Sequence, residues 1–171
     1  IAVSGTHGKT TTTAMISDIL LQANTDPTLS IGGILKSIGG NYRVGSSDYF
    51  VTEACEYTNS FLSFFPKVGI ILNIQEDHLD FFKDLADIRN SFHAFAKLMP
   101  ENGLLIINSG IENYKELTEG ISCPIITFDM HEGADYYPTD LSYDNMGRPS
   151  FICHGPEDFA LPVTLGLPGD H

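Results

Sequence analysis

The stretch Gly5-Thr6-His7-Gly8-Lys9-Thr10-Thr11-Thr12 directly follows the short apolar run Ile1-Ala2-Val3-Ser4. That order of parts constrains the fold more than any other feature of the chain. A buried strand feeds a glycine-rich turn, and the turn opens a helix expected over roughly Lys9 to Ala23, with Met15, Ile16, Ile19 and Leu20 on its inward face. Glycines let the backbone wrap so that several N–H groups converge on one anion. The helix start adds unpaired donors and the positive end of its dipole. In such a setting Lys9 reaches β- and γ-phosphates, and the Thr10 hydroxyl can ligate Mg²⁺.

The full phosphate-loop pattern G-x-x-x-x-G-K-[ST] would place its first glycine where Val3 stands, so the motif is a shortened variant. A bare G-K-T arises by chance. The same triplet between a strand and a helix, with two more threonines behind it, is far more specific. The competing account, an ordinary strand–helix turn with a snorkelling lysine, is the weaker of the two.

The rest of the chain predicts an α/β fold, a doubly wound and mostly parallel sheet. Asn24-Thr25-Asp26-Pro27 marks a turn, and Thr28 to Ile31 is a short extended run. Gly32-Gly33 and Gly39-Gly40 bracket a segment read either as close backbone approach to a ligand or as a mobile hairpin. Asp48 to Glu53 reads as a buried strand ending in a carboxylate, and Tyr57 to Phe65 as a helix stopped by Pro66. Val68 to Ile74 is apolar on both faces, as a central parallel strand should be, and delivers Gln75-Glu76-Asp77-His78-Leu79-Asp80 to the same sheet edge. An amphipathic helix is expected over Asp84 to Met99, then a strand over Leu104 to Asn108, a helix over Ile111 to Glu119 and a strand over Ile125 to Phe128. Beyond about residue 130 the pattern changes. Ala134 to Tyr143, Pro149 to His154 and Phe159 to Leu165 read as three strands joined by tight turns. An antiparallel meander over about residues 131–167 is therefore expected beside the parallel part, about residues 1–130.

Charge narrows the function classes. Nine basic against 22 acidic side chains give a net charge of −13, which repels nucleic acid and anionic membrane surfaces, so neither is an expected partner. A polyphosphate ligand must then be held by local devices. No apolar run approaches the roughly 20 residues that span a bilayer. Cys55, Cys123 and Cys153 are odd in number, far apart and without a C-x-x-C pair, which fits reduced thiols in a cytoplasm. The chain starts inside a strand and stops at Pro168-Gly169-Asp170-His171, so it is expected to be the middle of something longer.

Three side chains converge in this reading: Thr10, Glu53 and His78. A hydroxyl and a carboxylate suit Mg²⁺, a hard ion that prefers oxygen. A lone histidine is more often a structural hydrogen-bonder, but His78 follows the strongest strand and is flanked by Asp77 and Asp80, a poor setting for core packing.

Gly5 to Thr12, the strand end Thr52-Glu53-Ala54-Cys55-Glu56, Ser60-Phe61-Leu62, Asn73 to Asp80 and the terminal Leu167-Pro168-Gly169-Asp170-His171 together resemble the central ATP-binding domain of the Mur ligases, over essentially the whole chain. These enzymes form amide bonds in peptidoglycan synthesis at the expense of ATP. The resemblance implies that Gly5, Thr6, His7, Gly8, Lys9, Thr10 and Thr11 hold the phosphates of ATP and that Thr10 and Glu53 bind a first Mg²⁺. It further implies that His78 places a second Mg²⁺ and that His171 borders the base. Lys9, Glu53 and His78 would be the catalytic set. Several members carry a carbamoylated lysine at the position that, counted forward from His78, is His93 here, with no lysine before Lys97. That departure favours the alanine-adding branch, with UDP-N-acetylmuramate and L-alanine as the other substrates. Flanking domains that grip the sugar nucleotide and the amino acid would be absent, and this chain alone would make no amide bond.

Other readings stay open. A branch that adds a preformed tripeptide to the same sugar nucleotide is the nearest. A phosphate-loop hydrolase or switch would hydrolyse nucleotide with no acceptor, and a purely nucleotide-binding module would perform no chemistry.

Overall fold

The computed structural model describes residues 1–169. In chain order the first elements are β1 (Ala2–Ser4), α1 (Lys9–Gln22), β2 (Thr28–Leu35), β3 (Gly40–Arg43) and β4 (Phe50–Glu53). A 3₁₀ segment (Tyr57–Ser63) leads to β5 (Val68–Ile71), α2 (Leu85–Ala96), β6 (Leu104–Asn108), α3 (Tyr114–Leu117) and β7 (Ile125–Phe128). These strands form a seven-stranded sheet in the order β3-β2-β4-β1-β5-β6-β7. All neighbours in it are parallel except the edge pair of β2 with β3. Three further strands, β8 (Tyr137–Tyr143), β9 (Pro149–His154) and β10 (Ala160–Thr164), make a separate antiparallel sheet.

Strand order decides where a site can form. From β1 the chain moves to one side through β2, β3 and β4, and then crosses to the other side for β5, β6 and β7. The carboxyl ends of β4, β1 and β5 therefore flank the point where the winding reverses, the place where open sheets of this kind leave a crevice. Register carries each tip to the same level, with Val3 opposite Glu53 and Ser4 opposite Ile71.

Alternating side chains along the strands build one core on each face. Ala2, Ile71, Leu105 and Ile107 pack with Phe61, Ile88, Phe92 and Phe95 on one side. Leu29, Ile31 and Val51 pack with Ile1, Ile16 and Leu20 on the other. Helix α2 begins where its cap demands: the Asp84 side chain accepts the Asp87 N–H at 2.9 Å, which satisfies one of the four orphan donors of the first turn. The aromatic stripe that the sequence places on this helix is core, with Phe61 stacked on Phe95 at 4.8 Å between centroids and edge-on to Phe92 at 5.4 Å.

Three local expectations need correction. On α1 Ile16 and Leu20 face inward as expected and pack against the core, but Ile19 is 67% exposed, and the fully buried positions of the helix are Thr13 and Ser17. The helix lies against β2, β4 and β1, and compact hydroxyl side chains occupy its line of closest approach; the Ser17 hydroxyl donates back to the Thr13 carbonyl at 2.6 Å. Of the two readings of the glycine-bracketed segment, the hairpin is the one seen in the backbone: it forms the antiparallel β2–β3 pair. Asp26 fastens the far end of that hairpin. Hydrogen bonds from the Ser46 hydroxyl, then the Arg43 guanidinium and the Ser46 amide, hold its carboxyl down at about 2. The stretch after β4 is 3₁₀ rather than α, because Thr58 and Asn59 both adopt left-handed backbone. Finally, α3 is a single turn, shorter than the Ile111 to Glu119 helix expected.

Candidate active site

The turn after β1 is shaped by two glycines with positive φ, Gly5 at 141° and Gly8 at 83°. A Cβ on Gly5 would meet Leu72 Cβ at 3.0 Å and the Asn73 amide nitrogen at 3.2 Å, so the turn and the continuation of β5 need that bare position. Asn73 then pins the turn from the side. Its carboxamide oxygen accepts the His7 N–H at 2.8 Å and its NH₂ donates to the His7 carbonyl at 3.0 Å. The Thr6 hydroxyl accepts the Gln75 N–H at 2.9 Å. The backbone of the turn is thus held from the segment that follows β5 as well as by its own contacts.

Lys9 does not snorkel. Its ammonium donates to the Gly5 carbonyl at 2.6 Å, the Thr6 carbonyl at 3.2 Å and the Glu56 carboxylate at 3.0 and 3.2 Å. Glu56 is 2% exposed, and a carboxylate so deep in the protein requires a cation beside it. On the other side of the turn, the Thr10 hydroxyl donates to Glu53 Oε2 at 3.1 Å, and Glu53 Oε1 accepts the Gly32 N–H. The hydroxyl and carboxylate expected to share an ion therefore touch, across 43 residues of sequence.

His78 stands at the head of the turn after β5, with φ 52°. Its amide donates to Asp77 Oδ1 at 2.7 Å, and its carbonyl accepts from Phe81 and Phe82 at 2.8 and 2.9 Å. The buried Phe82 ring anchors this turn to the core. His78 Nε2 lies 4.0 Å from Glu56 Oε1, and Glu56, Asp77 and His78 each offer a ligand atom within 4.8 Å of the others. Tyr57 covers the imidazole at 4.5 Å between ring centroids. Its hydroxyl donates to Asp80 Oδ2 at 2.8 Å, and this bond and the Asp80 charge push the phenol above its ordinary value.

The structure thus brings Lys9, Thr10, Glu53 and His78 to one edge of the sheet. His7, Gly8 and Thr11 also border a cavity of about 700 Å³ beside the turn, walled by Leu72 and Ile106, with Asn108 and Asp129 among its polar lining. His171 lies outside the described residues. His93 is half-buried and points elsewhere: its Nδ1 meets the Leu117 carbonyl at 3.0 Å, tying α2 to α3. On that helix it is Ser91 that reaches toward the site, donating to Asn59 two residues beyond Tyr57. Sequence reasoning missed Glu56 as a site residue, although it stands in the motif three positions after Glu53. Gly32, read from the sequence as a place of close backbone approach, lies close to the Glu53 carboxylate.

That closeness makes a prediction. A Cβ at Gly32 would sit 2.8 Å from Glu53 Oε1 and 2.9 Å from Oε2, so Gly32→Ala must swing the carboxylate away from Thr10. If the Thr10–Glu53 pair holds a divalent cation, we expect the change to weaken magnesium binding about tenfold while costing only about 1 kcal/mol in stability, read from a metal titration beside a thermal melt. An unchanged metal response would show that Glu53 tolerates displacement.

A glycine turn with a lysine, set beside a hydroxyl–carboxylate pair and a histidine–carboxylate group, has the parts that a phosphate-loop nucleotide site uses. The chain belongs to the Mur ligase family, whose middle-domain model matches residues 3–171. It is 54% identical over 172 residues to the UDP-N-acetylmuramate–L-alanine ligase of Lachnospira eligens, covering all of this chain and 38% of that protein. Among solved structures, it superposes on the UDP-N-acetylmuramate–alanine ligase MurC of Thermotoga maritima with a TM-score of 0.82 at 29% identity, over 99% of this chain and 37% of that one. The UDP-N-acetylmuramate:L-alanyl-γ-D-glutamyl-meso-diaminopimelate ligase of Neisseria meningitides gives 0.77 at 27% identity, over 91% and 52%. The chain therefore spans under two fifths of the Lachnospira relative's length.

Proposed function

We propose that this chain is the nucleotide-binding middle domain of an ATP-dependent UDP-N-acetylmuramate–L-alanine ligase of the cytoplasm, with the domains that hold the sugar nucleotide and the amino acid lying outside residues 1–171. The observation that carries the reading is the contact of Thr10 with Glu53 beside the Lys9 turn, a mineral-like oxygen pair at the place where a triphosphate would end. Family membership and the identity to alanine-adding relatives support the choice of substrate. The donors fit magnesium. Thr10 and Glu53 offer hard oxygen, and Glu56 and Asp77 surround the softer His78 nitrogen with more of it.

A carboxylate is a poor electrophile toward an amine. The acceptor carboxylate must first attack the γ-phosphorus, releasing ADP and leaving an acyl phosphate. The amine then attacks the acyl carbon, loses a proton and expels inorganic phosphate. Two anions approach each other in the first step, so charge neutralisation matters more than any general base. Thr10 and Glu53, and His78, would hold magnesium, which when bound would supply that neutralisation. Lys9 and the N–H groups at the helix end of the turn, from Gly8 to Thr11, would orient the phosphate chain, and Asn73, which takes the Thr6 and His7 N–H groups, keeps the turn in shape for it. His171 would border the base.

The test uses the full-length ligase with ATP, UDP-N-acetylmuramate and L-alanine, and follows ADP together with the amide product. Equal or better turnover with the tripeptide in place of alanine would favour the tripeptide-adding branch, whose Neisseria representative shares this fold. ATP hydrolysis that needs no sugar nucleotide would overturn the ligase reading. Residues 1–171 alone are expected to bind nucleotide weakly and to form no product.

A further inference from the structure

Lys9 has three N–H donors and the structure commits all of them: one to Gly5, one to Thr6 and the third to the Glu56 carboxylate. A triphosphate seated in the turn must take one of these donors. The two carbonyls belong to the turn itself, and their bonds keep the lysine folded over its own loop. The carboxylate is the only anion of the three acceptors, and it is the partner that a phosphate replaces like for like. Once it has been replaced, Glu56 is a buried charge without its cation, a condition that is strongly unfavourable. The nearest remedy is already in place, because His78 Nε2 lies 4.0 Å away and Asp77 completes a set of three ligand atoms.

We infer that Glu56 is a positioning residue that hands Lys9 to the arriving phosphate and takes a divalent cation beside His78 in exchange, so that nucleotide and metal binding are coupled through this one carboxylate. The inference rests on the nucleotide site proposed above. Its physical content is a linkage: whatever stabilises Glu56 apart from Lys9 strengthens phosphate binding, and the reverse holds to the same degree. Before the metal arrives the carboxylate competes with the phosphate. After it arrives the same carboxylate assists.

The test measures the dissociation constant of a non-hydrolysable ATP analogue by calorimetry in the full-length protein, in EDTA and at saturating Mg²⁺, and takes the ratio. The ratio should exceed roughly tenfold in the wild type, in the ordinary range of such couplings. Glu56→Gln should bind the analogue more tightly than wild type in EDTA, because the competitor has lost its charge, and its ratio should fall several-fold. A ratio equal to the wild-type value, or weaker binding in EDTA, would make Glu56 a structural anchor and overturn the inference. His78→Ala leaves the Lys9–Glu56 pair intact and provides the second arm should the first variant not fold. It should match wild type in EDTA and lose most of the ratio, and keeping the ratio overturns the inference as well. Failure of the wild type to bind the analogue under either condition would instead defeat the nucleotide site itself.

Discussion

Lys9→Ala is expected to lower kcat/KM of the full-length protein in the proposed ligase reaction by roughly a hundredfold to a thousandfold, and to destabilise the folded protein at the same time. The first effect follows from losing a cationic side chain folded over the turn; interactions of this kind with developing charge are worth about 3–4 kcal/mol. The second follows from Glu56, which is 2% exposed and has Lys9 as its close cationic partner. Removing one member of a buried pair commonly costs about 3–5 kcal/mol. Lys9 retains 16% exposure, so water can relieve part of that and a loss of about 2–3 kcal/mol is expected. The double variant Lys9→Ala/Glu56→Gln separates the two effects. Its denaturant midpoint should return most of the way to wild type while turnover stays absent. A single variant as stable as wild type would show that the buried carboxylate does not depend on this lysine.

Glu53→Gln is expected to do the opposite, abolishing metal-dependent turnover while leaving the fold intact. The amide oxygen can still accept the Gly32 N–H, and the Thr10 hydroxyl retains a partner, so stability should stay within about 0.5 kcal/mol of wild type. What disappears is the negative charge that the proposed ion would face. Turnover at fixed magnesium should drop by roughly a hundredfold to a thousandfold, in line with the loss of one well-placed electrostatic group. Excess metal should recover part of it. Analogue binding in EDTA should be unaffected, since the Lys9 turn is untouched. Wild-type magnesium dependence in this variant would place the first ion elsewhere.

Much of this architecture was legible because it is local. The strand–turn–helix at the N-terminus is written in adjacent residues, and Leu104–Asn108, Ile125–Phe128 and Pro149–His154 declare themselves by apolar runs between turns. The Asp84 cap and the phenylalanine stripe define α2 with little help from the rest of the chain. What escaped was set by distant partners. The inward face of α1 is chosen by how closely the helix approaches β2 and β4, and at that distance Thr13 and Ser17 fit where Ile19 does not. Left-handed backbone at Thr58 and Asn59 carries no glycine to announce it. Glu56 was hidden for a similar reason. Its pairing spans 47 residues, and Glu53, three places earlier, already satisfied the expectation of a carboxylate at that strand tip.

The cavity beside the turn gives calorimetry a second use. Its walls include Leu72, Ile70 and Ile106, hydrocarbon that faces water until something enters. Whatever group lodges there sheds that water, and the binding enthalpy must then grow more negative on warming, which is the heat-capacity signature of apolar contact. Inorganic tripolyphosphate, gripped by the loop alone, carries no such slope. Comparing its enthalpy with that of ATP at several temperatures would therefore locate the nucleoside without another structure.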